Sequence, residues 1–214
     1  MKRGVLALLL LFASAGLAQT PPAPIDPRER WNRAFSNSKP VFNTQPNRFL
    51  VETVKGRKPG KALDIGLGQG RNSLWLAQQG WDVTGVDISD QGIRIANEQA
   101  ANLGVRIKTV LQPAEEFDFG KDQWDLVIGI FMHQIFSDQA GCIRSGLKPG
   151  GLVVVEGYHD DLSKTLGRQL GYKTNELVRA FDGLRIIHYE DRTGPADWSG
   201  GREEPIVRFI ARKE

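Results

Sequence analysis

The chain has 214 residues, with 28 lysines and arginines against 25 aspartates and glutamates. That length suits one domain with a full hydrophobic core, and the near balance of charge lacks the basic face or stripe of an electrostatic nucleic-acid binder. The single cysteine, Cys142, excludes a disulfide framework and a cysteine-based metal site; it is expected as a small buried side chain in a helix.

Residues 1–18 read as an export signal. Lys2 and Arg3 give it a positive start, and Val5 to Phe12 form an apolar run. Gly16 and Ala18 stand where a signal peptidase needs small residues for a cut before Gln19. The run is too short for a comfortable membrane span, so no stable anchor is expected. Cleavage removes two bases and brings the mature chain close to neutrality. Residues 19–30, QTPPAPIDPRER, hold four prolines and read as a linker rather than a helix. The remainder, 31–214, is expected to be one domain. Its first segment, 31–58, carries Trp31, Phe35, Phe42 and Asn43, either as a lid closing a site against water or as a helix packed on the sheet.

From residue 61 strands and helices alternate. Lys61 to Ile65 is a short apolar strand, and Asn72 to Gln79 is helical with Gly80 as its stop. Trp81 to Asp87 is the second strand. Ser89 caps a helix carrying Ile93, Ala96, Ala100 and Leu103 at helical spacing, and Gly104 ends it. Val105 to Leu111 is the third strand, and Trp124 to Ile130 a fourth with the nearly continuous apolar content of a strand buried on both faces. Ser137 is expected to cap the next helix, and Lys148-Pro149-Gly150-Gly151 turns into a fifth strand, Leu152 to Glu156. A helix around Asn175 to Phe181 and strands near 184–189 and 206–211 complete the chain. The pattern predicts an α/β fold: a doubly wound, mostly parallel sheet with an antiparallel C-terminal edge hairpin.

The strongest motif is ALDIGLGQGRN, residues 62–72. A strand runs straight into Gly66, Gly68 and Gly70, where missing Cβ atoms permit sharp turns and close approach to a ligand. The following helix N-terminus offers unpaired N–H groups. A dinucleotide site needs G-x-G-x-x-G. Counting from Gly66 puts Arg71 at the third glycine position, and counting from Gly68 puts Ser73 there, so a nicotinamide-dependent oxidoreductase is disfavoured.

The observed pattern, D-x-G-x-G-x-G from Asp64, resembles the first motif of the class I S-adenosylmethionine-dependent methyltransferases. The resemblance covers residues 61 to about 157 and implies a Rossmann-like fold with S-adenosyl-L-methionine as cofactor. It implies Asp87, ending the second strand, as acceptor for the ribose hydroxyls, and Ile88 against the adenine. Gln112 falls where the family often has an acid, and the Ala114 N–H falls at the adenine ring. Phe131 matches a backbone contact to the methionine portion. Asp64, Gly66, Gly68 and Gly70 complete the implied cofactor set. The stretch GQGRNSLWLAQQGWDVTGVD is similar to the tellurite-resistance methyltransferases, which act on chalcogen oxyanions and other small nucleophiles. That family tends to carry a His-Arg pair near the C-terminal end, where this chain has Ala196, Asp197 and Trp198, with Arg202 further on; substrate identity is not carried over.

These features imply methyl transfer to a small-molecule nucleophile, without nucleic acid as partner. A non-catalytic binding module of the same fold, outside the cytoplasm, is the alternative. His133, just past the fourth strand, is the candidate catalytic group on the substrate side, with Tyr158 and His159 weaker candidates on the same edge. His188 is expected to face solvent from its strand. The three histidines show no metal-ligand spacing, so no metal is expected. Export implies a periplasmic location; an unused signal leaves the protein cytoplasmic.

Overall fold

Asp26 and Pro27 begin the chain's first described helix, Pro27 standing in its first turn, where a missing N–H costs nothing. The computed structural model describes residues 25–36, 42–166 and 170–214. The expected signal, residues 1–18, lies outside them, as does the linker up to residue 24. Part of the expected linker is therefore helical. The elements run α1 (Pro27–Phe35), α2 (Arg48–Val54), β1 (Lys61–Ile65), α3 (Arg71–Gln78), β2 (Asp82–Asp87), α4 (Asp90–Leu103), β3 (Lys108–Leu111), β4 (Trp124–Ile130), α5 (Gln134–Asp138), α6 (Ala140–Gly146), β5 (Leu147–Tyr158), α7 (Asp161–Leu166), α8 (Glu176–Ala180), β6 (Arg185–Pro195) and β7 (Glu203–Arg212).

The strands form one seven-stranded sheet in the order β3-β2-β1-β4-β5-β7-β6. β1 to β5 are parallel, and β7 runs antiparallel to both β5 and β6. This is the doubly wound sheet with a C-terminal edge hairpin that the alternation predicts. Alternate side chains on the central strands serve two cores. Leu63, Val127, Val153 and Val155 pack with Phe136, Tyr172, Phe181 and Phe209, while Ala62, Leu126, Ile128, Leu152 and Val154 pack with Leu50, Leu76 and Trp81. The strand order reverses beside β1, whose neighbours are β2 and β4. A ligand crevice of such a sheet opens there, beyond the carboxyl ends of the strands.

Local chemistry sets the helix limits. The Ser89 hydroxyl accepts the Gly92 N–H at 3.0 Å, and Gly104 closes α4 at φ +66°. Asn47 caps α2 by accepting the Leu50 N–H at 3.0 Å.

Several elements differ from expectation for physical reasons. Trp81 precedes β2, and β3 begins at Lys108. Ser137 lies within α5, its hydroxyl bonded to Glu176, so it caps nothing. Lys148 to Gly151 falls inside the span of β5 as an irregularity, marked by a register shift against β4 between Trp124 and Leu126. Cys142 is exposed: α6 buries Ala140, Ile143 and Gly146, and Cys142 lies off that face. His188 is half-buried, its ring centroid 5.5 Å from that of Phe49, while Ile186 and Ile187 are exposed. A register shift between Ile186 and His188 reverses the alternation there.

Candidate functional site

Gly66, Gly68 and Gly70 all adopt positive φ (+76°, +55° and +84°) between β1 and α3, so the turn that the spacing predicts depends on glycine. The Asp87 carboxylate organises this loop. One oxygen accepts the Gly68 N–H and the other the Ser89 N–H, each at 2.8 Å. A carboxylate has about four lone-pair sites, so acceptor capacity is left for a ligand. Burial raises its pKa despite these bonds.

Asp64 lies beneath the loop, 2% exposed, and accepts the Ser73 hydroxyl at 2.7 Å. Burial, opposed by the Ser73 bond and reinforced by Asp87, raises its pKa to about 6. A carboxyl whose folded pKa is raised loses stability as pH climbs through that value. Ionised Asp64 therefore costs roughly 2–3 kcal/mol at neutral pH. Asp64→Asn is expected to be more stable than the native chain by about that amount at pH 7.5, the gap closing between pH 6 and pH 4. Urea unfolding across that range measures it, and a constant gap would contradict the burial argument.

The helix α1 packs against α4 beside the loop. The Asn32 amide oxygen accepts the Ser89 hydroxyl at 2.6 Å and the Gln91 N–H at 3.2 Å, and Arg28 and Asn32 both bind Asp90. Phe35 lies directly on the loop: a Cβ on Gly68 would meet its ring at 3.1 Å. Trp31 and Phe42 extend this cluster, with ring centroids 5.8 and 5.3 Å from that of Phe35.

Beyond β4 the chain is pinned in a strained form. Phe131 has φ +64°, a conformation that costs a non-glycine residue on the order of 1–3 kcal/mol. Its N–H bonds the Glu156 carbonyl at 2.8 Å, and the buried Tyr172 hydroxyl donates to the Met132 carbonyl at 2.6 Å. His133 Nε2 accepts the Tyr158 N–H at 3.0 Å, and the two rings stack at 4.8 Å. His133, the expected catalytic group, thus fastens this loop to β5 through Nε2. Burial lowers the imidazole's pKa to about 4, so it is neutral at physiological pH. Gly157 admits this packing, since a Cβ there would stand 2.9 Å from the His133 ring.

Trp198, on a 3₁₀ turn after β6, closes the same end of the sheet. Its ring meets Phe131 at 4.7 Å and Tyr158 at 4.4 Å, both edge-on. Beside it Asp197 accepts Arg71 Nη1 at 2.7 Å and Asn47 Nδ2 at 3.1 Å through one oxygen. Asn47 also donates to Glu156 at 2.8 Å, and the Asn47 N–H reaches the Asn72 amide oxygen at 2.8 Å. Glu156, 1% exposed, pairs with Arg208 at 2.5 Å, and Arg208 also binds Glu190 and the Pro195 carbonyl. Glu156 and Arg208 stand opposite each other in the β5–β7 pairing.

Of the other expected residues, Ile88 is half-buried after β2, and the Gln112 N–H bonds the Asp87 carbonyl at 3.1 Å. Ala114 opens a 3₁₀ turn at the end of β3. Asp64, the glycines, Asp87, Ile88, Gln112, Ala114 and Phe131 thus all follow the carboxyl ends of β1 to β4 or lie beside them. His159 stands apart, its ring on Thr174 at 3.1 Å and Asp191 at 3.5 Å. Arg202 is exposed. Sequence reasoning missed Asn47, Glu156 and Arg208; the lone acid in the apolar run of β5 and the arginine flanked by apolar residues in β7 were the available signals.

A family model described as a methyltransferase domain matches residues 62–151. The "Probable S-adenosyl-L-methionine-dependent methyltransferase TehB" of Haemophilus influenzae is 27% identical over 188 residues, covering 83% of this chain and 65% of that protein. Its crystal structure superposes with a TM-score of 0.68 at 23% identity, over 78% of this chain and 62% of that one. The ubiquinone biosynthesis O-methyltransferase of Aliivibrio fischeri is 30% identical over 168 residues, covering 76% of this chain and 68% of that protein. Geranyl diphosphate C-methyltransferase from Streptomyces coelicolor, solved with Mg2+, geranyl diphosphate and S-adenosyl-L-homocysteine, shares the fold with a TM-score of 0.64 at 13% identity, over 90% of this chain and 100% of that one. The chain belongs to the class I S-adenosylmethionine-dependent methyltransferases, and TehB is among the members it is similar to. It spans about 65% of TehB's length. S-adenosylmethionine is the cofactor, and the residues present fit it: a glycine loop dependent on positive φ, a helix N-terminus, and a buried Asp87 with acceptor capacity left.

Proposed function

We propose that the protein transfers a methyl group from S-adenosylmethionine to a small-molecule nucleophile. The observation that carries this reading is the convergence of the glycine loop, Asp87 and the Phe131–Tyr158–Trp198 cluster on the carboxyl edge of β1, β2, β4 and β5. When bound, the cofactor supplies an electrophilic methyl on a sulfonium, open to in-line displacement.

The chain's own residues do the holding. The loop backbone, Asp64 and the α3 N-terminus serve the methionine portion, together with the strained backbone at Phe131. Asp87 would take the ribose hydroxyls, Ile88 would pack on the adenine, and Gln112 with the Ala114 N–H would meet its edge. Phe35 and α1 cover the loop and exclude water, so that reactants are held in line in a dry site. His133 fixes the β4 loop and is a positioning residue. A carboxylate such as Asp64, which costs stability when ionised, is accounted for by service to the cofactor.

A screen reading S-adenosylhomocysteine release over thiols, phenols, amines and chalcogen oxyanions tests the reading. Turnover of at least one class is expected; a cofactor-binding protein inert towards all four would instead be a non-catalytic module of this fold. We further propose export to the periplasm through residues 1–18, carried by the ordered charged, apolar and small-residue regions. A reporter fused after residue 25 should be exported, and one that stays cytoplasmic would refute this.

A further inference from the structure

Resting on that reading, we propose that the acceptor is a neutral nucleophile bearing an X–H bond on an aromatic or apolar body, such as a phenol or thiol, and not an oxyanion. Three half-buried rings, Phe131, Tyr158 and Trp198, wall the end of β4 and β5 with centroids 4.4–5.3 Å apart. Ring faces carry negative charge density and favour apolar or aromatic contact over anions.

The nearby charges point the same way. Arg71 Nη1 is held by Asp197 and by the Gln45 carbonyl at 3.1 Å. Arg208 is committed to Glu156, Glu190 and the Pro195 carbonyl. The site's spare bonding capacity is acidic: Asp197 Oδ1 is shielded from solvent and has no hydrogen-bond partner among the described residues. A buried acceptor left in this state is costly. Among the described residues, an incoming oxyanion would have to compete with Asp197 for Arg71 and would add like charge beside that carboxylate, which is the repulsive half of a specificity device. A protonated, cationic acceptor would be repelled by the cofactor's sulfonium and would lack a nucleophilic lone pair. A neutral X–H satisfies each condition: its body packs on the rings, and its proton is donated to Asp197 Oδ1.

Titration calorimetry on the protein saturated with S-adenosylhomocysteine tests this without turnover, using benzyl mercaptan, catechol and tellurite as probes. At least one of benzyl mercaptan and catechol is expected to bind in the wild-type protein and tellurite not to; the stronger of the two identifies the X–H group. Trp198→Ala should weaken that binding by about tenfold, and Trp198→Phe should restore most of it, which separates a lost wall from a misfolded protein. Asp197→Asn removes the repelling charge and frees Arg71, so tellurite affinity should rise by about tenfold. Tellurite binding the wild-type protein more tightly than both neutral probes, or neither neutral probe binding at millimolar concentration, overturns the proposal and leaves the methyltransferase reading intact. Failure of S-adenosylhomocysteine itself to bind removes that reading and this inference together.

Discussion

Replacing Asp87 by alanine is expected to weaken S-adenosylhomocysteine binding on the order of 100-fold, since each hydrogen bond to a charged acceptor contributes about 1.5–3 kcal/mol. The loss has two sources. The ribose hydroxyls lose their acceptor, and the Gly68 and Ser89 N–H groups, each now bonded at 2.8 Å, lose theirs. The loop that α3 and the cofactor share then loosens. Asp87→Asn keeps one acceptor oxygen in place and should lose less. Calorimetry on both variants, with a melting curve to show that each is folded, gives the ranking native, asparagine, alanine. Equal affinity in all three would confine Asp87 to loop organisation and remove it from the cofactor.

The largest stability effect is expected at Arg208. Its removal as Arg208→Ala leaves Glu156, 1% exposed, without its cation, and breaking a buried pair from one side costs about 3–5 kcal/mol. Burial already raises the Glu156 pKa, with Arg208 as the main opposing influence. Without Arg208 the carboxyl pKa moves further up, and the penalty falls on the ionised form. The deficit in urea unfolding should therefore be largest at pH 8 and narrow towards pH 5. The double variant Glu156→Gln with Arg208→Met should recover much of it, because neither partner is then left charged and alone. A deficit independent of pH and unrelieved in the double variant would attribute the loss to packing of the Arg208 guanidinium over the Phe49 ring, its Cζ 5.5 Å from the centroid.

How much of this was legible in the sequence follows from the distance over which each feature is determined. The glycine loop, Ser89 as a cap and Gly104 as a stop are local demands of the backbone, and residue types report them directly. Strand alternation is nearly as local, and it gave the sheet class and the C-terminal hairpin. It failed at His188 because a register shift reverses the facing within one strand. Cys142 is exposed despite its apolar character because helical phase decides burial, and the buried face of α6 runs through Ala140, Ile143 and Gly146. Asn47 was invisible because its partners Glu156 and Asp197 lie 109 and 150 positions away. Arg71 and Asp197 are 126 apart. The replacement of a His-Arg pair by Asp197 and Trp198 was readable as a departure; only the fold shows that these residues meet Arg71, Phe131 and Tyr158.

The crevice beside β1 is the site assigned to S-adenosylmethionine. Titration calorimetry of the protein from Gln19 onward with S-adenosylmethionine, S-adenosylhomocysteine and NAD addresses it most directly. Binding of the first two at micromolar levels, with none for NAD, is the predicted result. Tight NAD binding, or no heat from either sulfur ligand, would contradict it.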